Sequence, residues 1–362
     1  MRIPEFRYMT WAKAHVGRGT HPLHRSDAVG PSLRDLGVDP SALRLARPAS
    51  PRPDPELAAA VAGRWGVPAE CVMPTCGTHH ANFLLARALT GPGDRVLMEA
   101  PAYEALPRVF DLLGAEVRPF PRRSGESGRL PMDAIREGLK ADARVVVLTD
   151  LHNPTGAHLL PDDLAALEAA AREREAHVLV DEVYRDFLPP PVGTCFVPGG
   201  PFVVSSSLTK VYGLGGLRVG WAIASPEVVE RMRRINDVMV VNMPAPSASI
   251  ALAAWPRLES IAAGHRETAA RNFRILSAWI RGRDDLLWSP PDAGIAAFLE
   301  VPALKGKDDV AWVERLIEET GVVVVPGSMF GVPGSMRLSF GLATDPFTEA
   351  LDRLGSFLDR SR

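Results

Sequence analysis

The residues with the clearest chemical potential lie in the stretch SSSLTKVYGLGGLRVGWAIA, residues 205–224. Lys210 follows the polar end of an apolar run and is flanked by Ser207 and Thr209, and Arg218 comes after a glycine-rich turn. Hydroxyl groups and an arginine can bind a phosphate, and a lysine among small residues can act as an amine nucleophile. A single lysine is usually a solvated surface group, so only the combination indicates a reactive site.

The glycines of this stretch do not form a nucleotide-binding motif. Gly213 and Gly215 begin a GxGxxG pattern, but Arg218 stands where the third glycine belongs. No GK[ST] sequence of a phosphate-binding loop occurs in the chain. Nucleotide binding is therefore disfavoured.

The pattern S-x-[ST]-K followed by G-x-x-G-x-R-x-G resembles the lysine motif of the class I and II aminotransferases, which are fold-type I enzymes dependent on pyridoxal 5'-phosphate (PLP). The resemblance implies that PLP is the cofactor and that Lys210 forms the internal aldimine with it. It also implies that Ser207 and Arg218 hold the cofactor phosphate and that Thr209 assists.

Two residues after another apolar run fit the same resemblance. Asp181 and Tyr184 follow the run HVLV. A carboxylate opposite the pyridine nitrogen keeps that nitrogen protonated, and the resemblance assigns this role to Asp181. It places the Tyr184 hydroxyl at the phenolate oxygen of the cofactor. Taken alone, an aspartate at a strand end is more often a helix cap.

Asn153 and Arg337 are implied to face the substrate. Asn153 stands in the turn sequence NPTG, where its amide would stabilise the anionic ring oxygen of the cofactor. Arg337 stands in RLSF, where its planar guanidinium would bind the substrate α-carboxylate through two hydrogen bonds. In isolation, NPTG indicates only a turn and RLSF only a surface ion pair.

A glycine-containing turn opens a helix within residues 73–89. Cys76, Gly77 and Thr78 occupy the phosphate-binding turn of the family, and backbone N–H groups at a helix start bind anions. Cysteine replaces the commoner serine, which removes a good hydroxyl donor. The neighbours His79 and His80 are poorly spaced for a shared metal ion, so we expect pocket wall or packing and no metal site.

Tyr103 follows the run RVLME and matches the aromatic residue that stacks on the pyridine ring in the family. Without the other motifs it could equally be a core tyrosine. The chain also departs from the family, because ARPASPRPDPEL, residues 46–57, lacks the tyrosine that reaches the cofactor phosphate of the neighbouring subunit. SDAVG, residues 26–30, is the expected N-terminal loop that touches substrate.

The resemblance implies transamination between an L-amino acid and a 2-keto acid, carried out by a homodimer. Lys210 would take the α-proton while Asp181 helps to store the resulting charge. A lyase or a cyclising synthase of the same fold stays open, because the same carbanion can eliminate a substituent or be trapped by ring closure. A non-catalytic PLP-binding regulator is disfavoured, since no helix-turn-helix pattern precedes residue 45.

The elements that position these residues alternate between short apolar runs and helical patterns. The predicted strands cover residues 95–99, 144–150, 177–182 and 202–207. A helix is predicted from Asp54 to near Gly66, with others over 247–281 and 308–320 and from about 346. Alternation of this kind predicts an α/β fold with a mostly parallel sheet covered by helices, which binds ligands at the carboxyl ends of its strands.

We expect a large PLP-binding domain over residues 46–246 and a smaller α+β domain from residues 1–45 and 247–362, with weak strands around AAFLEVP and GVVVVPG. The 41 basic and 43 acidic residues leave a net charge of −2, which disfavours nucleic-acid and membrane partners. Three cysteines without a CxxC pair and a start without an apolar leader favour the cytoplasm.

Overall fold

The structure, a computed structural model, describes residues 3–43, 45–46, 54–122 and 129–360. Eleven helices of the α type occur in the described ranges. Their bounds are α1 Arg7–Ala14, α2 Pro55–Trp65, α3 Thr78–Leu89, α4 Ala105–Leu112, α5 Met132–Lys140, α6 Pro161–Glu173, α7 Pro226–Asn236, α8 Ala245–Ala254, α9 Leu258–Arg281, α10 Asp309–Thr320 and α11 Thr344–Arg360. None of them is both long enough and apolar enough to cross a bilayer.

A seven-stranded sheet carries the site. Its strands are β1 Val72–Thr75, β2 Arg95–Ala100, β3 Glu116–Pro121, β4 Ala143–Thr149, β5 His177–Asp181, β6 Phe202–Ser207 and β7 Gly220–Ile223. Their spatial order is β1-β7-β6-β5-β4-β2-β3, and β7 alone runs in the direction opposite to the other six strands. The four predicted strands are therefore confirmed, as is the helix that ends at Gly66.

Both faces of this sheet are covered. In β4, Val145 and Val147 pack into one apolar cluster, whereas Val146 and Leu148 pack into the other. Successive strand residues point to opposite faces, so a run of consecutive apolar residues is what a sheet buried on both sides requires. The polar residues that follow the parallel strands lie together at the carboxyl ends of these strands.

A second sheet of four strands lies in the C-terminal part. Its strands are β8 Leu287–Trp288, β9 Ala296–Glu300, β10 Val325–Pro326 and β11 Ser335–Ser339, in the order β10-β11-β9-β8. The two weak strands expected from the sequence are present as β9 and β10, but β11 lies between them and pairs with both.

One helix prediction was wrong, and one helix was not predicted. The helix expected over 247–281 is broken, because α8 ends at Ala254 and a short 3-10 turn containing Pro256 precedes α9. Proline lacks the N–H that an α-helix needs in its interior. The N-terminal segment, for which the sequence predicted no helix, contains α1, whose buried residues are Tyr8 and Trp11.

Candidate active site

A cavity of about 310 Å³ opens at the carboxyl ends of the parallel strands. Nine of the cofactor- and substrate-binding residues predicted from the sequence line it. They are Thr78, Tyr103, Asn153, Asp181, Tyr184, Ser207, Thr209, Lys210 and Arg218. Residues from six different segments therefore meet in one place, as the position of ligand sites in open α/β sheets predicts.

One end of the cavity has the features of an anion site. Gly77 caps the start of α3 with φ of +82° and without a side-chain cap, so the first backbone N–H groups of the helix are available to a ligand. The Arg218 guanidinium donates to the Cys76 carbonyl at 3.5 Å and lies so close that a Cβ atom on Gly77 would come within 2.4 Å of it. The buried Thr78 hydroxyl has no hydrogen-bond partner among the described residues.

These features fit a phosphate group. An arginine, helical N–H donors and an unpartnered hydroxyl are the donors that phosphate oxygens accept from. Ser207 and Thr209 also line the cavity, and the Thr209 amide donates to the Ser207 hydroxyl at 3.2 Å. Cys76 does not line the cavity among the described residues and contributes its carbonyl to Arg218.

Lys210 lines the cavity and is held by hydrogen bonds from the N-terminal segment. Its Nζ donates to the Ser26 hydroxyl at 2.6 Å, and its backbone carbonyl accepts from the Ala28 amide at 2.9 Å. Burial lowers the pKa of the Lys210 amine, and the nearby Asp27 carboxylate opposes that shift. A lowered amine pKa favours the neutral form, which is the nucleophile and the base.

Asp181 ends β5 beneath the cavity and is buried. Its Oδ1 accepts from the Val183 amide at 3.1 Å, and its Oδ2 accepts from the Asn82 side chain at 3.0 Å. Burial raises the pKa of Asp181 to about 6, opposed by these two hydrogen bonds and by the charge of Lys210. The carboxylate is therefore an anion at neutral pH but close to its titration range.

Arg337, in β11 of the second sheet, is not among the described residues that line the cavity, but it contacts Asn153, which lines it. Only 1% of its surface is exposed, and its guanidinium donates to Asn153 Oδ1 at 3.3 Å and to the His24 carbonyl at 2.6 Å. The rings of Tyr8 and Phe330 lie 5.8 and 5.4 Å from it, within the range of cation–π attraction. The structure thus joins Arg337 to Asn153, and the substrate contacts expected of both residues stay predictions.

Aromatic rings form the wall near Arg337. Tyr103 contacts Tyr8 edge to face at 5.2 Å and lies 5.7 Å from the His79 ring. His79 lines the cavity, whereas His80 accepts a hydrogen bond from the Cys76 amide and supports the turn. The Tyr184 hydroxyl donates to the Ser26 carbonyl at 2.8 Å, and burial raises its pKa.

Sequence reasoning missed part of this site. Ser26 falls in the loop expected to touch substrate, but no sequence motif indicated that it contacts Lys210. Tyr8 and Asn82 were not identified at all. The detectable signal for Asn82 was an amide on the otherwise apolar face of α3, one turn after Thr78. The segment in which the family tyrosine is missing includes residues 47–53, which lie outside the described residues.

Comparison with known proteins identifies the family. The family described as "Aminotransferase class I and II" matches residues 46–354. The chain is 32% identical to capreomycidine synthase of Streptomyces vinaceus over 292 residues, which is 79% of this chain and 74% of that protein.

Two solved structures superpose over 100% of this chain and 99% of their own, each at 25% identity. One is a PLP-dependent aminotransferase from Streptococcus suis with a TM-score of 0.91, and the other is the PLP-dependent cyclase OrfR with a TM-score of 0.90. The chain therefore belongs to the class I and II aminotransferases, with the fold-type I architecture and PLP as its cofactor.

Proposed function

We propose that the protein is an aminotransferase that moves an amino group between an L-amino acid and a 2-keto acid. The observation that carries this proposal is the meeting of Lys210, Asp181 and an anion-binding turn in one cavity, with Arg337 joined to it through Asn153. A buried guanidinium beside a lysine suits a substrate that carries a carboxylate next to its reacting amine.

Bound PLP supplies an electron sink that stabilises negative charge at the substrate α-carbon. Gly77, Thr78, Ser207 and Arg218 would hold its phosphate, assisted by Cys76 and Thr209. Asp181 would keep the proton on the pyridine nitrogen, and Tyr103 would stack on the ring. Asn153 would donate a hydrogen bond to the ring oxygen, and Tyr184 would do the same after its hydroxyl leaves the Ser26 carbonyl.

The catalytic proton moves through Lys210. Its amine, once free, would take the proton from the α-carbon of the substrate and deliver it to the cofactor carbon within the same half-reaction, after which hydrolysis would release the 2-keto acid. Burial favours this role because it lowers the pKa of the amine. Arg337 fixes the α-carboxylate and thereby orients the C–H bond toward Lys210.

The test is a single-turnover measurement with the PLP-loaded protein. A panel of L-amino acids is added without any keto acid, and the released 2-keto acid is quantified. We expect an amount close to one equivalent per active site with the preferred donor, and none with Lys210→Ala. Turnover of amino acids by Lys210→Ala at the wild-type rate would contradict the proposal.

A cyclising or eliminating enzyme is the second candidate. It is favoured by the similarity to capreomycidine synthase and to the cyclase OrfR. The two candidates differ in their products, because transamination needs an amino acceptor whereas elimination or ring closure proceeds without one. Multiple turnovers of an amino acid in the absence of any keto acid would favour this second candidate.

We also propose that the protein acts as a homodimer in the cytoplasm, with the division at residues 46–246 expected from the sequence. The segment after α7 exposes four consecutive apolar side chains. Val238 is 85% exposed, Met239 47%, Val240 39% and Val241 49%. Exposed apolar patches commonly mark protein contacts. Sedimentation should show a dimer, and Val238→Glu should shift it toward monomer. A wild-type monomer would remove this part of the proposal.

A further inference from the structure

Asn82 is a buried polar side chain to which the proposed mechanism gives no part. It lies on α3, is 4% exposed, and occupies the side of the helix that faces the sheet. Its amide bridges two strands, because Nδ2 donates to Asp181 Oδ2 at 3.0 Å and Oδ1 accepts from the Ser205 hydroxyl at 2.5 Å. Burying an amide costs free energy unless its groups are paired, and here both are.

The chemistry of the partners fixes the direction of this bridge. An ionised carboxylate only accepts hydrogen bonds, so the NH₂ group of Asn82 must face Asp181. The carbonyl oxygen of Asn82 then faces Ser205, whose hydroxyl must donate. The chain of bonds therefore runs one way, from Ser205 through Asn82 to the carboxylate, and it delivers an N–H donor to one defined oxygen of Asp181.

We propose that Asn82 is a positioning residue that holds Asp181 as an anion aimed into the cavity. The inference rests on the proposed role of Asp181 toward the pyridine nitrogen. Oδ1 is already fixed by the Val183 amide, so the Asn82 bond completes a two-point attachment that leaves the carboxylate no freedom to rotate. A carboxylate without that attachment would be both less ionised and less well directed.

The charged groups around the cavity do not by themselves keep Asp181 ionised, so hydrogen bonds to its carboxylate are needed. The titratable or charged groups around the cavity are Lys210, Arg218, Tyr103, Tyr184 and His79. Of these, Lys210 lowers the pKa of Asp181, yet burial still raises that pKa to about 6, and the Asn82 bond is the largest of the effects that oppose burial. Loss of one such hydrogen bond should raise the pKa by on the order of one unit.

The first experiment uses the full-length, cofactor-free protein. The folded-state pKa of Asp181 lies above its unfolded value, so the stability it contributes is fully present below about pH 4 and is lost as the pH rises through about 6. Asn82→Leu should raise the folded-state pKa of Asp181 further, so that more stability is lost as the pH rises. We expect its melting temperature to fall further below the wild-type value at pH 7.5 than at pH 5.

Asn272→Leu is the matched control. Asn272 is a fully buried amide on α9 that donates to the carbonyls of Phe340 and Leu342, which do not titrate. Its loss should destabilise the protein equally at both pH values. An equal loss at both pH values for Asn82→Leu as well would overturn the proposal, and this readout does not depend on which reaction the enzyme catalyses.

The second experiment uses the PLP-loaded protein. For Asn82→Leu we expect the pH at which half of the cofactor is retained on dialysis to move upward by roughly one unit, with the acid limb of keto-acid release moving in parallel. Ser205→Ala keeps the Asn82 amide that donates to Asp181 but removes the hydroxyl that orients this amide. A smaller shift in the same direction is therefore expected. Ser205→Ala also serves where Asn82→Leu fails to fold. Unshifted profiles in both variants would show that Asn82 is only a packing residue.

Discussion

The two sides of the cavity are assembled in different ways. The cofactor side, which we name for its proposed role and define as Thr78, Asp181, Ser207 and Arg218, comes from the edge of a single sheet and the helix packed on it. The substrate side, named in the same way, is defined as Tyr8, His24, Ser26 and Arg337. It joins the N-terminal segment to a strand of the other sheet, and of these four residues only Ser26 lines the cavity itself. The hydrogen bond between Arg337 and His24 spans 313 positions of sequence.

The difference shows what fixes each set of groups. In the large sheet, Asp181 of β5 pairs with Thr149 of β4 and Ser205 of β6, so strand register alone sets their relative positions. A shift by one residue would turn every side chain to the opposite face. On the substrate side, the N-terminal segment is tied to the C-terminal part by an isolated bridge between His21 and Val322 and by a few further hydrogen bonds between distant segments. Variants should therefore separate cofactor retention from substrate binding.

The largest effect is expected at Lys210, where the two sides meet. Lys210→Ala removes both the proposed covalent attachment of the cofactor and the proton carrier, so the rate of keto-acid release should fall by on the order of 10³-fold or more. The measurement is single-turnover keto-acid release at saturating PLP. Lys140→Ala, which changes a lysine in the last turn of α5, is the control and should keep the wild-type rate.

Arg337→Lys tests the substrate side alone. Lysine keeps the charge but loses the planar fork that binds a carboxylate through two bonds, so kcat/KM should fall by roughly 100-fold, mainly through KM. PLP retention on dialysis should not change. Arg353→Lys, at an arginine on α11 that binds Glu349, is the control. Loss of PLP together with substrate affinity in Arg337→Lys would mean that the two sides are not separable.

The pH dependence of PLP affinity tests the cofactor side. Asp181 has a pKa raised to about 6 by burial, so it becomes protonated and neutral as the pH falls through that value. Below pH 6 the affinity of the cofactor-free protein for PLP should fall by up to about tenfold per pH unit. Asp181→Asn carries no charge at any pH and controls for the titration of PLP itself. An identical slope in wild type and Asp181→Asn would contradict the assignment.

The contrast between the two sides also explains what the sequence revealed. On the cofactor side, Asp181 and Ser207 could be singled out because each ends a recognisable apolar strand, whereas Thr78, Lys210 and Arg218 were singled out by their motifs. The fold class followed from the same strands, and the roles of these residues toward the cofactor stay predictions. Asn82 escaped because its partner Asp181 is 99 positions away and no local pattern connects them.

The substrate side was predictable only where a motif survived. Arg337 was found through RLSF, whereas Tyr8 was not, since α1 is a short helix whose packing against Phe330 and Tyr103 is entirely tertiary. The order of strands in the second sheet was missed for a related reason. Local apolar runs indicate that β9 and β10 are strands. That β11, which carries Arg337, lies between them is seen only from its pairing with both strands in the structure.

The smallest expected effect belongs to Ser26, which reaches from the substrate side to Lys210. Ser26→Ala removes the hydroxyl that accepts from Lys210 Nζ, but the backbone bond between Ala28 and Lys210 stays. Loss of one such bond is worth about 1 kcal/mol, so the rate of proton transfer should change by roughly fivefold while PLP retention is unaffected. The rate of keto-acid release with an α-deuterated donor measures this step, and Ser32→Ala, at an exposed serine paired with Asp35, is the control. A loss of PLP in Ser26→Ala would place this N-terminal loop on the cofactor side instead, and the two sides would have to be treated as one unit.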